Sequence, residues 1–266
     1  MTKFSSARQF HKDLIGRALF YSGAYRRLFT DRGIVLAYHS ISDEDSSIAC
    51  APKAYQSHCQ FLAKYFDVVS LHELINLIKS GKPLDGKAVI TFDDGYKDNS
   101  DVAAEVLVKH DLPATFFVAT RFVDSHHVAW WDKQDGIESR WMSWDDLRAL
   151  SAAGFTIGGH TQHHVDLGKV EPELAKKEIY GCREDLHSEL GIDCDLFAYP
   201  YGGPENINKT SLEIVREAGF DSCFSCHGGI IKPTDNAFEL LRMPISSSYI
   251  SEYHFGAQII RDYRGA

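Results

Sequence analysis

From Gly33 onward the chain alternates short apolar runs with stretches of helical periodicity, and this alternation constrains its fold more than any other feature. Ile34-Val35-Leu36-Ala37-Tyr38, Ala88-Val89-Ile90-Thr91-Phe92 and Ala114-Thr115-Phe116-Phe117-Val118 are rich in β-branched and aromatic residues. A strand with one wet face alternates apolar with polar residues, whereas a strand covered on both faces reads as a continuous apolar run. That is the pattern of a parallel sheet flanked by helices. Shorter strands are expected at Val68-Val69, Phe155-Thr156-Ile157, Leu196 to Tyr199, 220–224 and 239–243. Helical patterns fill the gaps at 55–65, 71–79, 100–110, 144–153, 171–190, 207–218 and the C-terminus. Gly81-Lys82-Pro83 stops one helix, Ser143-Trp144-Asp145-Asp146 caps another, and Gly191 ends the longest. Residues 121–142, with His126, His127, Trp130, Trp131 and Trp141, read as a loop. Without an internal repeat or linker, the pattern predicts one α/β domain, a distorted (β/α) barrel with parallel strands.

Such folds place their chemistry at the carboxyl ends of the strands. Asp93 and Asp94 stand at one such end, just before Gly95. Neighbouring side chains on a strand point to opposite faces, so both carboxylates can serve one site only if the strand has ended. Two carboxylates this close need different roles, which a metal ion can divide between them. A second strand end runs into Gly158-Gly159-His160-Thr161-Gln162-His163-His164. His160 and His164 are four apart, a spacing that lets two imidazoles meet on one ion in a helical turn. Imidazole with carboxylate oxygen suits zinc, and nickel or cobalt is also acceptable.

The chain's 266 residues are 44% apolar and 12% aromatic, enough for a full core and unlike a disordered chain. Its net charge of −9, with no zinc-finger or aromatic RNA-binding signature, argues against nucleic acid as a partner. Six scattered cysteines read as reduced core residues, and Cys223-Phe224-Ser225-Cys226 lacks a second pair for a metal site. With no long apolar run and no signal-like N-terminus, the expected address is cytoplasmic.

Residues 1–33 stand apart. Seven basic residues against two acidic give this segment a charge of +5, and Phe10, Leu14, Ala18, Tyr21, Tyr25 and Leu28 recur at helical spacing. Two readings remain open: an interfacial helix peripheral to the inner membrane, or a helix packed across the domain formed by residues 34–266.

Taken in order, the motifs resemble the polysaccharide deacetylases of carbohydrate esterase family 4. Thr91-Phe92-Asp93-Asp94-Gly95 is similar to the family's first motif, His160-Thr161-Gln162-His163-His164 to its second, and Phe197-Ala198-Tyr199-Pro200-Tyr201-Gly202 to its third. The likeness spans residues 34–245. It implies a divalent ion, usually zinc, held by Asp94, His160 and His164, with His163 outside the ligand set. It also implies Asp93 as general base, the Tyr201 amide as an oxyanion donor, and a substrate site at Tyr199, Pro200 and Tyr201. Two departures stand out. Ala198 replaces the arginine that orients the base in many members, and Arg242, at a late strand end, is a candidate substitute. The family's Leu-x-His motif, source of the general acid, is missing near 240. His39, at the first strand's end, is a candidate for that role or else a buried structural histidine.

The sequence Ala-Tyr-Pro-Tyr-Gly resembles the subgroup acting on bacterial exopolysaccharides and surface glycans. The expected substrate is therefore an N-acetylated amino sugar, in a glycan or in a lipid- or nucleotide-linked precursor. The aromatic 121–142 segment would stack on sugar or lipid carrier, or plug the barrel rim. A deformylase or cyclic-imide hydrolase on the same site, and a glycan-binding pseudoenzyme, are the alternatives.

Overall fold

The computed structural model describes residues 3–245 and 251–264. Its strands are β1 (Ile34–Tyr38), β2 (Asp67–Val68), β3 (Lys87–Phe92), β4 (Ala114–Val118), β5 (Thr156–Gly159), β6 (Leu196–Ala198), β7 (Ser222–Phe224) and β8 (Met243–Pro244). The helices are α1 (Lys3–Tyr21), α2 (Tyr25–Leu28), α3 (Pro52–Tyr65), α4 (Leu71–Lys79), α5 (Ala104–Lys109), α6 (Trp130–Asp135), α7 (Trp144–Ala152), α8 (Pro172–Leu190), α9 (Lys209–Glu217) and α10 (Glu252–Arg264). The expected alternation is present, with two additions: α6 lies inside the segment read as a loop, and a π-helical turn at Asn99–Ala103 precedes α5. α6 is one turn long and carries no repeating apolar period to announce it.

All strand pairs are parallel, in the order β7-β6-β5-β4-β3-β1-β8, with β2 beside the start of β3. Leu240 bridges Phe224 of β7, and three residues later Met243 pairs with Leu36 of β1. One short segment thus reaches from the last long strand back to the first, closing the curl into a distorted barrel. Arg242 sits in that closing segment.

Alternation along the strands sorts the core. Ile34, Leu36, Ile90, Phe92, Phe116 and Ile157 pack outward with residues of α3, α5 and α8. Val35, Val89, Phe117, Ala198 and Phe224 form a second cluster with Leu71, Leu74 and Ile78 of α4, which plug the interior. Gly158 is small because Phe117 needs the space: a Cβ there would lie 2.4 Å from the ring. All six cysteines are free and five are buried, as expected of core residues.

The N-terminal helix packs along α10, where a Cβ on Gly16 would meet the Tyr253 carbonyl at 2.0 Å. The predicted stripe splits. Phe20 and Tyr25 stack at 4.5 Å in the core, whereas Phe10, Leu14 and Tyr21 face solvent. The close approach at Gly16 selects the Asp13–Gly16–Phe20 face for docking, and the more regular apolar face turns outward.

His58 of α3 is 1% exposed, stacked on Phe255 at 4.0 Å with Nδ1 3.2 Å from the Tyr38 hydroxyl. Burial pushes its pKa down to about 3. Because the folded value lies below the unfolded one, the unfolded chain takes up the proton first, so stability falls as pH drops below about 6.5. For this group alone the loss between about pH 6.5 and about pH 5 is about 2 kcal/mol. Urea unfolding at the two pH values should show that difference shrink by a similar amount in His58→Gln; an unchanged difference would remove His58 as the cause.

Candidate active site

The carboxylate pair is built by a strand that ends one residue late and then reverses. The Asp93 amide donates to the Tyr38 carbonyl at 2.9 Å, extending the β1–β3 ladder by one rung. Asp93 therefore continues the interior column of Val89 and Thr91. Asp94 would point outward, but its φ of 71° is left-handed and Gly95 follows at 92°. That reversal brings both carboxylates into one mouth, each 2% exposed.

The histidine pair is not helical, contrary to the expectation from its spacing. Residues 160–164 form an irregular turn in which Thr161 and His164 adopt left-handed φ of 64° and 55°. Two such residues fold the loop back on itself and bring the imidazoles together where a helix would have done so by period. Buried Glu178 of α8 secures the turn, accepting the Gln162 and His163 amides at 3.0 and 2.8 Å and contacting His163 Nδ1 at 2.8 Å. His163 is half exposed and directed away from the pair. Nothing in the motif announced Glu178, since its contact depends on how α8 packs.

His160 Nδ1 lies 2.8 Å from the Ala198 carbonyl, so Nδ1 donates there and Nε2 is turned toward the cluster. The Nε2 atoms of His160 and His164 stand 3.3 and 3.2 Å from Asp94 Oδ1. These distances allow charge attraction, yet the buried Asp94 Oδ1 has no aligned hydrogen-bond partner among the described residues. The three ligand atoms lie within 4.8 Å of one another. Such a convergence of acceptors fits a divalent cation, and two imidazoles with one carboxylate are a zinc-type donor set. Burial alone would raise the Asp94 pKa, but His164 and His160 outweigh it and hold the carboxyl well below the usual range.

Asp93 is held separately. Arg242 Nη1 and Nη2 donate to its two carboxylate oxygens at 2.6 and 2.8 Å, a bidentate pair with the guanidinium fully buried. Arg242 also donates to Thr91 Oγ1 at 3.1 Å and to the Ser225 carbonyl at 3.0 Å, and packs over Phe117. Burial pushes Asp93 up, but the adjacent guanidinium outweighs it and keeps the carboxyl ionised, below its ordinary value.

Above the pair opens a cavity of about 310 Å³, lined by His39, Trp130, Trp131, Tyr201 and Cys226 among others. His39 is half-buried at the end of β1, its carbonyl held by Asn99 at 2.7 Å. Trp131 packs on His164 with centroids 4.7 Å apart, and its Nε1 donates to Tyr96 Oη at 2.7 Å. Tyr96 in turn donates to buried Asp132, fixing α6, which carries both tryptophans. Tyr201 has a left-handed φ of 63°, is 42% exposed, and accepts from Trp130 Nε1 at 3.2 Å. Gly202 must be glycine here, since φ is 63° and a Cβ would sit 2.4 Å from the Cys226 nitrogen.

The other two expected substrate contacts, Tyr199 and Pro200, are buried. Tyr199 borders the cavity but is 2% exposed, and its hydroxyl accepts from the Cys223 thiol in the core. Pro200 is buried, with its carbonyl accepting the Gly202 amide at 2.7 Å, and so shapes the turn. β6 pairs on both edges and leaves only Tyr201 projecting from this motif. Trp131 lines the mouth, in the aromatic segment expected to stack on sugar or plug the rim, whereas Cys226 was not expected there.

The family model for polysaccharide deacetylases matches residues 80–223, a span containing both aspartates, the histidine turn and Tyr201. The chain belongs to the polysaccharide deacetylase family. These enzymes are hydrolases of carbohydrate N-acyl C–N bonds. A poly-beta-1,6-N-acetyl-D-glucosamine N-deacetylase of Staphylococcus aureus is 23% identical over 219 residues, 79% of this chain and 72% of the relative. Bacillus subtilis YxkH is 24% identical over 227 residues, 85% of this chain and 75% of the relative. In fold, the chain is similar to the Streptococcus pyogenes deacetylase PplD, with a TM-score of 0.72 at 21% identity, covering 84% of this chain and 96% of that one.

Proposed function

We propose that the chain is a metal-dependent hydrolase that removes the N-acetyl group from an amino sugar in a glycan, or in a lipid- or nucleotide-linked precursor. The observation that carries this reading is the division of the aspartate pair: Asp94 Oδ1 lies between two imidazole nitrogens, while Arg242 clamps Asp93. Asp94, His160 and His164 would hold the ion, a donor set that favours zinc and is also compatible with nickel or cobalt. A divalent ion supplies Lewis acidity toward negative charge developing on oxygen during amide cleavage. Asp93 accepts the proton of the attacking water, kept ionised and aimed by Arg242. The Tyr201 amide adds a hydrogen-bond donor for the tetrahedral oxyanion. His39, at the same mouth, delivers a proton to the departing sugar nitrogen. Trp130, Trp131 and Tyr201 offer aromatic faces to the sugar ring, and a cavity of about 310 Å³ accommodates a monosaccharide unit.

Metal analysis together with acetate release tests this reading. The purified protein should carry one divalent ion per chain and release acetate from β-1,6-linked N-acetylglucosamine oligomers. Chelation should remove both ion and activity, and zinc should restore both. Acetate release that survives complete removal of the ion would overturn the mechanism.

A further inference from the structure

Helix α1 is apolar on two opposite faces. Asp13, Gly16 and Phe20 meet the domain, and the helical period sets Phe10, Leu14, Ala18 and Tyr21 on one outward stripe with Ile15 beside it. Phe10, Leu14, Ile15 and Tyr21 are 63%, 57%, 56% and 67% exposed, and they are four of the ten large hydrophobic side chains exposed among the described residues. An ordinary surface helix places polar residues on the face opposite its core. Cations surround this stripe. Arg17 beside it is paired with Asp13 at 2.7 Å, whereas Arg26 and Arg27 are exposed on α2, and Lys64 Nζ lies 5.6 Å from the Tyr21 ring centroid. The local charge of +5 opposes the chain's net −9, so attraction to an anionic surface would act on this edge in particular. No described helix is long and apolar enough to cross a membrane.

We infer that the outer face of α1 rests on an anionic lipid surface. Phe10, Leu14 and Ile15 enter the headgroup–acyl boundary, with Tyr21, stacked on Tyr253 at 5.2 Å, at its edge, while Arg26 and Arg27 meet lipid phosphates. Apolar insertion combined with basic flanks is the physical combination that holds an interfacial helix. Protein–protein docking would satisfy the apolar residues but would not need the ring of cations.

Vesicle flotation of the full chain tests the inference. Binding to phosphatidylcholine vesicles containing about 30% phosphatidylglycerol should exceed binding to phosphatidylcholine alone by about tenfold or more. Phe10→Glu/Leu14→Glu should lower it about tenfold or more, and Arg26→Glu/Arg27→Glu should abolish the preference for anionic lipid. All four positions are exposed, so thermal unfolding should be unchanged. Absence of vesicle binding by the unaltered chain, or undiminished binding by the Phe10/Leu14 variant, would overturn the inference. A dimer dissociated by that variant in the absence of vesicle binding would also overturn it, assigning the face to a second copy.

Discussion

Replacing Arg242 by methionine should cost about 3 to 5 kcal/mol of stability and nearly all acetate release, while leaving the bound ion in place. The destabilisation follows from what remains behind. Asp93 is 2% exposed, and both its oxygens are satisfied by one guanidinium. Without that partner the carboxylate either takes up a proton, which removes it as a base, or stays charged in a poorly solvated site with nothing to aim it at water. The Ser225 carbonyl and Thr91 hydroxyl lose a donor as well. Arg242→Lys keeps the charge but cannot reproduce the planar two-pronged contact, so it should recover part of the stability and little of the activity. The double variant Asp93→Asn/Arg242→Met should be more stable than Arg242→Met alone, because the unpaired charge is gone. Urea unfolding across this set, with metal content measured in parallel, checks the assignment. Equal stability of the single and double variants would mean that Arg242 acts through packing over Phe117 instead.

How much of this was readable from the chain depends on whether the cause was local. β1, β3 and β4 were legible because burial on both faces leaves a continuous apolar run, and the carboxylate pair was placed correctly at the end of β3 by alternation alone. The left-handed turns at Asp94, Thr161 and His164 were not, since an ordinary side chain at positive φ is imposed by its surroundings and leaves no mark in composition. The histidine spacing suggested a helix for that reason. Arg242 could be nominated only from the gap at Ala198 and its own late position, because the contact spans 149 residues. Glu178 and Asp132 needed the packed structure: each acts through a neighbour that the fold, and not the sequence, makes adjacent. In α1 the period was real but its direction was undetermined until Gly16 met α10.

Asp93→Asn and Asp94→Ala should both abolish acetate release, but for reasons that metal analysis separates. Asp93 contributes no atom to the cluster within 4.8 Å, which consists of Asp94, His160 and His164. Asparagine at 93 is nearly isosteric, keeps one oxygen for Arg242 and cannot accept a proton at neutral pH, so ion content should stay near that of the unaltered protein. Activity should fall by about 10² to 10⁴, the usual contribution of a positioned general base. Asp94→Ala would remove the only carboxylate of the proposed ligand set and leave two imidazoles, each with an open side toward the lost oxygen. Affinity for the ion should fall by at least about a hundredfold, more than the loss typical of an outer hydrogen-bond partner. If instead Asp93→Asn empties the site while Asp94→Ala retains the ion, the two aspartates have exchanged roles, and the bidentate contact to Arg242 would have to open for Asp93 to become a ligand. Arg242 donates four hydrogen bonds from a fully buried position, two of them to Asp93, so such an opening would leave several groups unsatisfied. That cost is the physical reason for the proposed division: the carboxylate already clamped by arginine is held away from an ion, and Asp94, between two imidazoles, would be the ligand.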